Sequence, residues 1–205
     1  LVAVCESLRR NKAEIFAANE MDVKVAREKG TRESLIDRLS LDDKKMEGII
    51  GGVESIIAQT DPIGEETAGW KTPNGLLIRQ TRVPVGVVAI IYESRPNVTV
   101  DAFALAYKSA NAILLRGSSS ALNSNKAIVK AIKEGLASVE NGVPEAVELA
   151  PCKSRDEVPE ILTAVGKIDL ALPRGSANLI KTVVETAKVP VIETGSGICH
   201  LYIDE

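Results

Sequence analysis

The chain has 205 residues, 45% of them hydrophobic and 26% charged, with a formal net charge of -3. That size suits one large domain, or a domain with an appendage, of ordinary globular composition. With no basic run, 3% aromatic residues and no apolar stretch near the roughly 20 residues of a membrane helix, neither nucleic acid nor a membrane is an expected partner.

Residues 1 to about 29 are strongly helix-forming, and Val4, Leu8, Ile15 and Ala18 can share one face. Asn19 is expected to interrupt this run and cap a second piece, in which Asp22 adds charge near the N-terminus and which Gly30 stops. Residues 33–39 read as a short helix. Ser40, Leu41, Asp42 and Asp43 read as the cap of a helix through about Ile57, with Met46, Ile49, Ile50, Val53 and Ile57 inward and Gly51 and Gly52 weakening it. Residues 61–64 form a turn. Residues 70–83 read as a hairpin around Pro73, Asn74 and Gly75. Such a hairpin needs a cover, either a second subunit or its own domain.

Residues 85–91 are a continuous apolar, β-branched run, the pattern of a strand buried on both faces. A polar turn over residues 92–97 follows. Residues 98–110 then have helical spacing, with Val100, Phe103, Ala104 and Tyr107 on one side. Residues 112–115 make the next strand, closed by Arg116, Gly117 and three serines. This is a βαβ unit. Helix 123–138, strand 146–150, helix 156–165, strand 168–172, helix 178–188 and strand 189–193 continue the alternation, and residues 201–203 start another strand. The predicted fold class is α/β, a doubly wound parallel sheet with N-terminal helices and a protruding β-hairpin.

In such sheets ligands bind beyond the carboxyl ends of the strands. The turns expected there carry Glu93, Arg95 and Asn97; Arg116, Ser118, Ser119 and Ser120; Arg174, Gly175 and Ser176; and Glu193, Gly195 and Gly197. Gly175 and Ser176 suit a phosphate at a helix N-terminus. No G-x-G-x-x-G follows the first strand, so the common dinucleotide fingerprint is missing. The segment from Arg116 to Lys126 is basic and hydroxyl-rich without a carboxylate. If a nicotinamide cofactor binds, that favours NADP(H); the alternative is that the serines only cap the helix. Cys5, Cys152 and Cys199 are scattered and His200 stands alone, which predicts neither a metal site nor a disulfide frame and fits a reducing compartment. The start without Met and the end at an apparent strand read as a piece of a longer protein.

The segments RVPVGVVAIIYESRPNVTVDAFALAYKSANAILLRG, LALPRGSANLI and VPVIETGSGICHLYIDE resemble the γ-glutamyl phosphate reductase family of the aldehyde dehydrogenase superfamily. The resemblance covers nearly the whole chain, and YESRPNVTVD is its specific motif. It implies NADPH-dependent reduction of γ-glutamyl phosphate to glutamate 5-semialdehyde and phosphate in proline biosynthesis, in the cytoplasm, by a homo-oligomer when full length. By the same resemblance Asn97 is the oxyanion-hole asparagine. Arg116 and Ser118 lie at the cofactor's ribose, Gly175 and Ser176 at its pyrophosphate, and Glu193 and Gly195 near its nicotinamide. Arg95 is family-specific and faces the anionic substrate or pairs with Glu93. The nucleophilic cysteine of the family matches none of the three here and is expected in a separate domain, leaving this chain inactive by itself. The implied division is residues 1–68 as helical part, 69–83 as oligomerisation hairpin and 84–205 as NADP-binding core. Competing readings are the reductase half of a bifunctional pyrroline-5-carboxylate synthase, a non-catalytic nucleotide-binding or assembly module, and an aldehyde dehydrogenase that uses water.

Overall fold

The structure, a computed structural model, describes residues 1–151, 154, 157–193 and 200–204. It opens with four helices: α1 (Val2–Arg10), α2 (Lys12–Glu28), α3 (Glu33–Leu39) and α4 (Asp43–Ala58). The first interruption falls at Asn11, not at Asn19 as the sequence pattern predicts. Asn11 Nδ2 donates back to Ser7 O at 3.0 Å and across to Glu134 Oε2 at 2.8 Å. Asn19 sits buried inside α2. Its amide donates to Leu39 O and Ser124 Oγ and accepts from Leu41 N. A residue with capping chemistry serves here as a tertiary tie, because its distant partners satisfy it more fully than its own backbone can. Asp42 does cap α4, accepting from Lys45 N at 2.7 Å. The helix runs unbroken through Gly51 and Gly52; Ile56 is its last buried apolar residue, and Ile57 packs half-buried against the core.

The hairpin begins earlier than its pattern suggests. Strands β1 (Glu66–Lys71) and β2 (Leu77–Thr81) pair antiparallel with Trp70 opposite Ile78. Gly75 takes φ +91 in the turn, where a side chain would be strained. Every residue of β1 is exposed, so the hairpin stands off the rest of the chain.

The main sheet contains β3 (Val87–Tyr92), β4 (Ala112–Arg116), β5 (Val147–Leu149) and β6 (Leu170–Arg174), all parallel, in the order β5-β4-β3-β6. The intervening helices are α5 (Pro96–Lys108), α6 (Leu122–Ala137), α7 (Glu157–Leu162) and α8 (Ala177–Thr186). Alternate residues of β3 face opposite layers. Ile90 and Tyr92 join the core made with α1, α4, α5 and α6, and Ala89 and Ile91 join Leu162 of α7 and Val183 of α8. Burial on both faces explains why the strand reads as an unbroken apolar run, and the doubly wound expectation holds.

The later strands differ in detail. Pro173 and Arg174 belong to β6 rather than to the turn after it. Pro173 needs no ladder donor there because only one side of β6 carries a full ladder. The strand expected at 189–193 reduces to one bridge, Val191 to Ala171, held by Ala171 N donating to Pro190 O and Ile192 N donating to Ala171 O. Residues 201–203 are exposed and not in a strand.

Candidate functional site

The sheet order sends the chain outward from β3 through β4 to β5, then back to the other side of β3 as β6. The switch point therefore lies between the carboxyl ends of β3 and β6, where open α/β sheets bind ligands. Register places Arg116 beside Ile91 and Arg174 beside Tyr92, so β4 and β6 end flush with β3. Beneath this rim a buried polar chain fixes the parts. Tyr92 OH and Thr99 Oγ1 lie 2.7 Å apart, and Thr99 Oγ1 donates to Asn125 Oδ1 at 2.8 Å. Gly117 is required above it, because a Cβ there would stand 2.4 Å from Asn125 Nδ2 and 3.0 Å from the Tyr92 ring.

At the switch point Ser176 caps α8, its side chain accepting from Leu179 N. Glu93 already sits on it: Ser176 N and Oγ donate to Glu93 Oε1 at 3.0 and 2.7 Å. Gly175 permits this approach, since an added Cβ would fall 2.7 Å from Glu93 Cδ. The chain thus places its own carboxylate where a helix N-terminus attracts an anion.

Of the other expected site residues, Asn97 lies in the first turn of α5, half-buried, and its Nδ2 donates to Asp101 Oδ2 at 3.2 Å. Burial pushes the Asp101 carboxyl above its ordinary range, with the Asn97 hydrogen bond opposing. Arg116 is drawn away from the rim's centre. It donates to Ser154 O at 2.8 Å and Gly117 O at 2.7 Å, and its Nε lies 3.9 Å from Glu157 Oε2. The carboxylate-free stretch after β4 therefore has an acidic neighbour from α7, distant in sequence. Ser118 Oγ lies 2.8 Å from Ser120 Oγ, which is 2.5 Å from Ser94 Oγ. Glu193 is exposed just after the bridge to β6. Gly195, Gly197, Cys152 and Cys199 lie outside the described residues. No contact ties Asn97, Arg116, Gly175 and Glu193 to one another among the described residues, but all four follow or end strands at the same edge of the sheet.

Two cavities open beside that edge. The first, about 430 Å³, lies between α2, α3 and the turns after β3 and β4, and takes in Lys29, Arg38, Arg95 and the Ser94 to Ser120 hydroxyls. The second, about 440 Å³, shares Arg38 and Arg95 and adds Asn97, Asp101 and Lys45. Arg38 and Lys29 carry no sequence signal of function, since Arg38 is one exposed cation on α3 and Lys29 another just past the end of α2.

No family model matches the chain. It is 54% identical over 202 residues to the gamma-glutamyl phosphate reductase of Alkaliphilus oremlandii, covering 98% of this chain and 49% of that protein. It is 51% identical to the enzyme of the same name from Thermobifida fusca, over 100% of this chain and 49% of the relative. The chain belongs to the gamma-glutamyl phosphate reductase family. It spans about half the length of the curated relatives it matches. The crystal structure of the gamma-glutamyl phosphate reductase from Thermotoga maritima superposes with a TM-score of 0.91 at 47% identity, over 95% of this chain and 47% of that one. An acetylating aldehyde dehydrogenase from Geobacillus thermoglucosidasius superposes at 0.67 with 16% identity, over 95% of this chain and 40% of that one, a likeness of fold alone. The chain holds the turns that follow β3, β4 and β6 on one rim. Its Cys5 is buried in the core, and burial, then Glu54, pushes its thiol above the ordinary range. That is the behaviour of an inert packing residue.

Proposed function

We propose that the protein carrying this chain reduces γ-glutamyl phosphate to glutamate 5-semialdehyde and phosphate with NADPH, in the cytoplasm, and that this chain supplies the cofactor-binding portion. The observation that carries the reading is the 54% identity to a gamma-glutamyl phosphate reductase along 98% of the chain. The rim geometry supports it. NADP(H) supplies hydride transfer when bound. Ser176 N–H, with Gly175 beside it, would hold its pyrophosphate, and Arg116 with Ser118 would hold its ribose phosphate. The donor chemistry fits such a group on two conditions that this conformation imposes. Glu93 must yield the α8 N-terminus, and Arg116 must release Ser154 O.

On the same reading Asn97 offers its second amide hydrogen to the substrate's developing oxyanion. Asp101 accepts the first, fixing the amide plane. Arg95 faces the substrate, and Glu193 with Gly195 lines the nicotinamide end. We assign residues 1–68 to a helical part, 69–83 to a hairpin that pairs subunits in a homo-oligomer and 84–205 to the cofactor-binding core. The deciding assay is oxidation of glutamate 5-semialdehyde with NADP⁺ by the intact protein. Dependence on added phosphate is expected. Oxidation that proceeds equally without phosphate would assign a water-using aldehyde dehydrogenase instead.

A further inference from the structure

The first cavity is walled by parts that no sequence motif connects. Lys29 ends the α2 region, Arg38 comes from α3, and Arg95 with Ser94 follows β3. None of the three cations has an ion-pair partner within 4.0 Å among the described residues, although ten ion pairs form elsewhere. The cavity's two carboxylates are already committed. Asp22 accepts from Asn123 and Ser124, and Glu93 accepts from Ser176. Arg95 is half-buried, so its unmatched charge is partly shielded from water.

The hydroxyls add a proton count. Ser94, Ser118 and Ser120 carry one hydroxyl proton each, and their two mutual hydrogen bonds use two. One O–H is left over for a further acceptor. Three cations and a spare hydroxyl donor around about 430 Å³ fit a small oxyanion.

We infer that Arg38 and Arg95, backed by Lys29 and the serine cluster, form an oxyanion subsite that grips a carboxylate or phosphoryl group of the small substrate. The assignment rests on the reductase reading for the identity of that substrate, and on the cavity alone for its chemistry. Arg38 is the specificity residue that sequence order hides. It reaches the strand rim from the helices that precede the sheet, so those helices contribute to recognition as well as packing.

Calorimetric titration of this chain with L-glutamate and, separately, inorganic phosphate tests it at low ionic strength, where exposed charges are least screened. At least one of the two is expected to bind. Glutamate alone would assign a carboxylate to the subsite, and phosphate alone the phosphoryl group. Arg38→Gln and Arg95→Gln should each weaken that binding at least about tenfold, the loss of one charge-assisted contact. Lys181→Gln, on exposed α8, should not change it. Binding of neither probe, or equal binding by Arg38→Gln, overturns the subsite. The intact protein separates this from the reductase reading. A wild-type KM in Arg38→Gln removes the subsite alone, whereas absence of phosphate-dependent turnover in the wild type removes the reductase reading and leaves the titrations to decide the cavity.

Discussion

Asp22→Ala should be among the most damaging single changes available in the N-terminal helices. The Asp22 carboxylate is buried and accepts four hydrogen bonds from the start of α6: Asn123 N at 3.3 Å, Asn123 Nδ2 at 2.9 Å, Ser124 N at 2.8 Å and Ser124 Oγ at 2.6 Å. Helix α6 has no side-chain cap of its own at Ala121, so a residue about a hundred positions earlier performs that task. Losing a cap costs about 0.5–2 kcal/mol. Stranding buried donors that had a charged acceptor adds about 1–3 kcal/mol. Together these give roughly 3 kcal/mol, a large share of the roughly 5–15 kcal/mol that holds a domain folded. At about 2–4 °C per kcal/mol for a chain of this size, Tm should fall by about 6–12 °C. Urea unfolding followed by far-UV circular dichroism should show a lower midpoint at unchanged slope. Asp22→Asn, which keeps one acceptor oxygen, should lose about half as much. A loss below about 0.5 kcal/mol in the alanine variant, the size of an ordinary surface change, would refute the remote-cap reasoning.

Gly135→Ala should cost about 1–3 kcal/mol of stability in the same urea experiment, as overpacking does. Its new Cβ would stand 2.7 Å from Val4 Cα and 2.8 Å from Ala3 O, forcing α1 off α6; an unchanged midpoint would mean that the helices yield freely. Burial raises the folded pKa of Asp101 above the ordinary 3.8, so between those two pH values the folded chain keeps a proton that the unfolded chain releases. Its contribution to stability is therefore full below the ordinary value and is lost as pH rises through the folded one. Asp101→Asn should flatten that slope, and identical pH profiles would count against it. Glu93→Gln removes the carboxylate on Ser176 N–H and should tighten NADPH binding several-fold in a fluorescence titration; no change would place the pyrophosphate away from α8. Trp70 is the single tryptophan and is 51% exposed on the hairpin. Its emission should shift to the blue as protein concentration rises if the hairpin pairs subunits, and a constant spectrum would reject that role.

Several features are legible in the chain because they depend on neighbours in sequence. The unbroken apolar run of β3 announced two buried faces, and the layers of Ile90 with Tyr92 and Ala89 with Ile91 bear this out. The segment from Ser40 to Asp43 reads as the α4 cap, and Asp42 fills that role. The motif around YESRPNVTVD identified the family, which the relatives match along the whole chain. Strand ends were less legible. Residues 189–193 have the composition of a strand but reach β6 through a single bridge, because pairing depends on what lies alongside.

By itself, then, the sequence determined the element types, the parallel α/β class, the family and the strand-end turns that form the rim. Periodicity and turn chemistry are local properties and survive in one dimension. Only the tertiary structure decided that Asn19 and Asp22 bind across to α6 instead of marking the start of a second helical piece. It also decided that Glu93 lies on the α8 N-terminus, that Arg116 turns to Ser154, and that Arg38 shares a cavity with Arg95. Each of these brings a polar group beside a residue tens of positions away in the chain. The energy of such a pair depends on distance and burial, which the order of residues does not encode.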